Sequence, residues 1–120
     1  MSYSIIPTPR FKKEVKRLSK RYASLKTELA RLEQSLQQNP AQGTPLGNNT
    51  FKIRIAIKSK GKGKSGGGRV ITNVFLQESE VYLLSIYDKS EISSIDNKTL
   101  KNLVAEVILS KKQTTDKKNE

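Results

Sequence analysis

Cysteine, histidine and tryptophan are all absent from this chain. Without cysteine there are no disulfides and no thiolate metal sites, which fits a reducing compartment. Without histidine a Ser–His–Asp triad, a His-based zinc site and paired-imidazole ribonuclease chemistry are excluded. Catalysis would have to run on Lys, Arg, Tyr, Asp, Glu, Ser or Thr, or on a bound metal; no ligand cluster implies a metal, and no cofactor is expected. Aromatic residues are few and scattered, so the core should be built from Leu, Ile and Val, and an aromatic platform for stacking bases is not expected. No apolar run approaches the roughly 20 residues of a membrane span. Pro7 and Pro9 interrupt any signal-peptide core and Arg10 follows, so the expectation is a soluble cytoplasmic protein with no membrane partner.

Acidic residues are scarce where basic ones gather. The net charge is +12 over 120 residues, enough chain for one domain. Residues 10–21 carry Arg10, Lys12, Lys13, Lys16, Arg17, Lys20 and Arg21 against one acid, Glu14. No Asp or Glu lies between Glu33 and Glu78, a stretch that holds Lys52, Arg54, Lys58, Lys60, Lys62, Lys64 and Arg69. A field of this kind implies a polyanion or an acidic protein as partner.

Hydrophobic periodicity divides the chain. Residues 2–7 read as a short edge strand or extended lead-in. Phe11, Val15, Leu18 and Tyr22 recur at helical spacing, with Thr8 as N-cap and Pro9 at the first helical position. Leu25, Leu29, Leu32 and Leu36 continue the rhythm in a second helix, capped by Ser24 and ended by Asn39-Pro40. Residues 40–50 read as turn chemistry throughout. In 51–58 (FKIRIAIK) apolar and mostly basic residues alternate, predicting a strand with one core face and one basic face. Residues 69–76 and 81–87 predict two more strands, the last covered on both faces. A final helix is expected over 97–109, capped by Asp96 or Asn97. The resulting class is α+β: an N-terminal helical hairpin packed on a small, mainly antiparallel sheet, with a C-terminal helix and the helices on one side. One domain is expected over 1–110, with a disordered basic tail over 111–120.

Three segments invite a chemical reading. Gly61–Ser65 (GKGKS) imitates the end of a phosphate-binding P-loop, but Lys58 stands where the pattern needs Gly, and glycines and a strand follow where it needs a helix. The loop is expected to carry Lys60, Lys62 and Lys64 as phosphate contacts, with Lys58 beside them. Lys52 and Arg54 are two apart on a strand, so they share a face and can grip one phosphate or two neighbours. Arg69 opens the next strand, where it could meet Arg54 or Lys58. Tyr87, Lys89 and Glu91 follow the most apolar strand.

Together these segments resemble the RelE/HigB toxins of bacterial toxin–antitoxin pairs. The resemblance rests on the basic hairpin ending at Asn39-Pro40, Pro45–Gly47 (PLG), FKIRIAI, Gly67–Ile71 (GGRVI) and Val81–Glu91 (VYLLSIYDKSE), and covers about residues 8–108. It implies an mRNA endoribonuclease, often acting on ribosome-held mRNA, and a cognate antitoxin that blocks the basic surface. By position, Lys52 and Arg54 match the basic pair of the first long strand, Arg69 the arginine of the next, and Lys89 the basic residue after the third. The tyrosine that the best-known members carry beyond that residue is absent from 91–96 (EISSID); the YxKxE pattern of Tyr87, Lys89 and Glu91 resembles branches that lack it.

The implied reaction is attack of a ribose 2′-OH on the adjacent phosphate, without a metal. Lys52, Arg54 and Arg69 would hold the phosphate and stabilise its developing charge. Arginine stays protonated and is no base, which leaves Lys52 or Glu91 for that role and Lys89 for the leaving 5′-oxygen. Tyr87 would assist in RNA binding. Two alternatives stand beside this one: a ParE-like gyrase inhibitor, and a non-catalytic RNA- or ribosome-binding protein. A DNA-binding repressor is poorly supported, because the leucine stripes suit sheet packing.

Overall fold

The structure is a computed structural model that describes residues 2–61 and 66–118, with side chains through 112. In chain order it forms β1 (Ser4–Pro7), α1 (Pro9–Arg21), α2 (Leu25–Gln38), β2 (Thr44–Gly47), β3 (Thr50–Ile55), a 3-10 turn (Lys58–Lys60), β4 (Gly68–Phe75), β5 (Glu80–Asp88) and α3 (Asn97–Lys118). The strands make one sheet in the order β1-β5-β4-β3-β2. All pairings are antiparallel except β1 with β5, which runs parallel. The class is the expected α+β.

The hairpin forms where its stripes predict. Thr8 Oγ1 accepts from the Phe11 N–H at 3.2 Å and donates to the Leu83 carbonyl at 3.0 Å, so one side chain starts α1 and docks it on β5. Phe11 and Leu18 of α1, and Leu25, Leu29, Leu32 and Leu36 of α2, are all buried against Ile53, Ile55, Val70, Val81, Leu83 and Ile86 of the sheet. Burying each such side chain stabilises by ~1.5–3 kcal/mol. Ser24 does not cap α2 with its own side chain. Its hydroxyl instead bonds Glu28 at 3.0 Å and the Ser59 N–H at 2.9 Å, joining the hairpin bend to the turn after β3.

Several boundaries differ from the sequence reading. Residues 40–50 contain the edge strand β2, which pairs Thr44 with Lys52 and Pro45 with Phe51. Proline is tolerated there because an edge strand leaves its N side without a partner strand. Asn48 and Asn49 both have positive φ, the geometry of a two-residue turn into β3. β3 stops at Ile55 rather than 58, because the Lys58 N–H turns to Glu28 Oε2 at 2.8 Å instead of a neighbouring strand.

The helices are not all on one side. Leu103 and Val107 of α3 are buried with Ile71, Leu84 and Tyr87, on the sheet face opposite the hairpin. Adjacent residues of a strand point to opposite faces, so Val70 joins one core and Ile71 the other. α3 also outruns the expected 97–109, its helical backbone continuing to Lys118 where a disordered tail was expected. Asp96 caps its start, accepting from the Thr99 N–H at 2.7 Å. Lys111 holds the second half. Its ammonium pairs with Glu80 and with Glu78 at 3.8 Å, and lies 4.7 Å from the Phe75 ring centroid and 5.3 Å from that of Tyr82.

β4 and β5 pair through a bulge at Ile71/Thr72. The Ile86 N–H is taken by Glu14 Oε1 at 3.2 Å, and the Ser85 hydroxyl donates to the same oxygen at 2.9 Å. The single acid of the basic segment 10–21 thus satisfies β5 just past the end of β1, which pairs only with Glu80–Leu83. Among the described residues no helix is long and apolar enough to cross a membrane.

Candidate nucleic-acid interface

The register of β3, β4 and β5 decides which basic residues meet. Lys52 lies opposite Ile71, and Arg54 opposite Arg69; Arg69 in turn lies opposite Tyr87. Opposed residues of antiparallel strands put their side chains on one face, so Arg54, Arg69 and Tyr87 form a row across three strands. It lies on the face that α3 partly covers, since Ile71 and Tyr87 belong to that core.

Accessibility divides the row. Arg54 is exposed and Lys52 half-buried. Arg69 is only 4% exposed and donates from Nη1 to the Gly68 carbonyl at 3.0 Å. Tyr87 is 3% exposed and packs in the α3 core. Burial raises its phenol pKa, while the Arg69 charge and the Ile95 N–H act against that. Tyr87 is therefore mainly a core residue and is not open for stacking.

An open groove of about 730 Å³ runs along β3 between α2 and the 42–44 segment. Arg31, Lys52, Arg54 and Lys58 line it, with Glu28 as its acid and Ser35, Gln42 and Thr44 as polar walls. Among the described residues no strand covers this edge of β3 beyond Lys52, because β2 pairs only with Thr50–Lys52. Gly43 makes the close approach possible: its φ is +100°, and a Cβ there would stand 2.5 Å from the Lys52 carbonyl oxygen. Arg31 was missed by sequence reasoning. It sits on α2, and only the packing of α2 beside β3 brings it to the groove.

The remaining described candidates do not line the groove. Lys89 is half-buried, its N–H bonded to Gly67 O at 3.1 Å and its ammonium to Ser93 O at 2.7 Å. Glu91 turns to α1, pairing with Arg17 at 3.3 Å and Arg21 at 3.6 Å. Its carboxylate is thus engaged away from the Lys52–Arg54 groove. Lys60 is not a surface cation: its ammonium is held by the buried Asp88, by Ser90 Oγ at 3.1 Å and by Gly66 O at 3.0 Å. Lys62 and Lys64 lie outside the described residues. Among the described residues no group of three or more His, Cys, Asp or Glu side chains gathers as a metal site.

Fold and surface define a small basic α+β domain with a cationic sheet groove. No protein-family model matches the sequence. Solved structures do match. A free double-substituted E. coli toxin RelE superposes with a TM-score of 0.59 at 18% identity, over 78% of this chain and 90% of that one. The toxin–antitoxin complex RelBE2 of Mycobacterium tuberculosis matches with 0.54 at 20% identity, over 73% and 92%. E. coli RelE bound to a peptide of the antitoxin RelBc matches with 0.57 at 18% identity, over 81% and 98%. The chain has the RelE-type toxin fold.

Proposed function

We propose that this protein is the toxin of a toxin–antitoxin pair, and that it cuts mRNA, held on the ribosome, along the β3 groove. The observation that carries this reading is the placement of Arg54 opposite Arg69, with Lys52, Lys58 and Arg31 on the adjoining groove. Like charges gathered this way repel one another. A polyanion relieves that repulsion, and a phosphodiester backbone supplies negative charge at the required spacing.

In the proposed reaction Lys52 and Arg54 bind the scissile phosphate, and Arg69 stabilises it from beneath the strand surface. The ribose 2′-oxygen forms a bond to phosphorus while the bond from phosphorus to the 5′-oxygen breaks, leaving a 2′,3′-cyclic phosphate and a free 5′-hydroxyl. Lys52, as the neutral amine, takes the 2′-OH proton and becomes the ammonium. Lys89, whose backbone is joined to Gly67 two residues before Arg69, delivers a proton from its ammonium to the departing 5′-oxygen. Glu91 is the weaker choice of base, because Arg17 and Arg21 hold it on the α1 side. The ribosome contributes alignment of the substrate, an effect that adds large factors where the enzyme's own acid–base groups are modest.

A cognate antitoxin is the proposed protein partner, and the cytoplasm the proposed compartment. Two of the matched structures are complexes with antitoxins, and the +12 charge favours an acidic or amphipathic protein ligand.

The test is primer-extension mapping of mRNA after brief induction of the wild type and of a Lys52→Ala/Arg54→Ala variant. Cleavage at discrete sites, lost in the variant, is the expected result. Growth arrest with intact mRNA would replace this reading with gyrase inhibition. Neither arrest nor cleavage would leave a binding protein.

A further inference from the structure

Behind the sheet face that carries Arg54 and Arg69 lies a buried ionic cluster. Asp88 is fully buried at the end of β5. Its Oδ1 accepts from the Lys60 ammonium, from the Ser90 N–H at 2.9 Å and from the Ser90 hydroxyl at 2.7 Å. Its Oδ2 accepts from the Tyr22 hydroxyl at 2.6 Å. Lys60 in turn spends its donors on Asp88, Ser90 and the Gly66 carbonyl. The bend after α1, the turn after β3 and the two strand ends that open β4 and close β5 therefore meet at one point.

The backbone carries that point to the other face. Asp88 is opposite Gly68 in the ladder, and the Lys89 N–H bonds Gly67 O at 3.1 Å. Gly68 precedes Arg69, and its carbonyl receives the Arg69 guanidinium. A Cβ on Gly68 would meet Ile55, Ile57 and the Tyr87 carbonyl at 3.3 Å, so this segment has little room to move independently. Residues 67–69 and 87–89 are thus fixed to one another by the cluster on one side while presenting Arg69 and Tyr87 on the other.

We infer that Lys60 and Asp88 are a positioning pair for the proposed cleavage site: the ion pair sets the separation of the β4 start and β5 end, and with it the placement of Arg69 and Lys89 against the phosphate. This rests on the ribonuclease reading above. It reverses the expectation that Lys60 grips RNA. A cation used for binding alone has no reason to be 11% exposed with its donors committed to protein oxygens. An ion pair buried this way is weak evidence for stability, and in some proteins such a pair serves to fix a geometry.

Replacing Lys60 alone would leave the Asp88 charge short of a partner and could unfold the protein, so the test uses Lys60→Met/Asp88→Asn, which removes both charges. Three quantities are read: melting temperature, single-turnover cleavage of a defined mRNA on ribosomes, and Kd for free RNA against salt. The expected result is a folded protein whose cleavage rate falls by about 100-fold, the scale of a misplaced reacting group, with Kd and its salt slope unchanged. A folded variant that cleaves at the wild-type rate overturns the inference. So does weaker RNA binding with a salt slope smaller by about 0.7, which would make Lys60 a phosphate contact. Failure of the wild type itself to cleave is a different result: it removes the ribonuclease reading, and this inference with it.

Discussion

Arg54 and Arg69 stand directly opposite each other across β3 and β4, one exposed and one buried. Like charges facing across a ladder destabilise it by ~0.2–1 kcal/mol. Arg54→Gln should therefore raise the melting temperature slightly while weakening RNA binding and reducing its salt slope by about 0.7. Thermal melts and filter binding at several salt concentrations check both halves. A fall in stability together with unchanged affinity would show that Arg54 serves the fold and not the ligand.

The Asp88 carboxyl gives the fold a pH signature. Burial alone would raise its pKa, but hydrogen bonds from Lys60, Tyr22 and Ser90 outweigh that and hold it well below the usual carboxylate range. In the unfolded chain the value returns to roughly 3.9. Between the two values the unfolded state binds more protons, so stability there rises with pH. The contribution is complete above the unfolded value and is lost as pH falls through the folded one. Melting temperatures from pH 7 to pH 3 should decline at the acid end more steeply in the wild type than in Asp88→Asn. Parallel curves would contradict the assignment.

Lys111→Met keeps the apolar stem over Phe75 and Tyr82 but removes the charge that pairs with Glu80 and Glu78. We expect a loss of about 1 kcal/mol from the cation–π and ionic contacts together. Amides beyond 110 should exchange faster, and helical ellipticity should drop. Unchanged exchange would mean that α3 is held past 110 by its other contacts.

Gly43→Ala tests the wall of the groove. The positive φ and the Lys52 carbonyl together make any side chain there strained, at a cost of ~1–3 kcal/mol. Because β2 and β3 must separate locally to admit the methyl group, RNA affinity should fall along with the melting temperature. A stable Gly43→Ala protein with full affinity would contradict the close approach of the two segments.

The helical hairpin, the three long strands and the cationic strand face were all legible in the sequence, because each is a local periodicity. The stripe from Phe11 to Leu36 has to bury one side of two helices, and the alternation in 51–58 has to put Lys52 and Arg54 on one face. The edge strand β2 was hidden by turn-forming residues, since an edge needs few hydrogen bonds and tolerates Pro45 and the paired asparagines. The length of α3 was hidden because Lys111 reads as a tail residue until Glu80 and the Phe75–Tyr82 pair are brought beside it.

Charge, composition and periodicity by themselves determined an α+β domain with an uncompensated basic surface and no imidazole or thiol chemistry. The roles of individual cations were settled by tertiary structure alone. Lys60 and Arg54 look alike in sequence, both basic and both in an acid-free stretch. One is drawn inward by a buried carboxylate 28 residues away, and the other is left on an open strand edge. Strand register and the packing of α2 and α3 on opposite faces decide that difference, and neither has a local signal, because both depend on contacts between segments far apart in the chain.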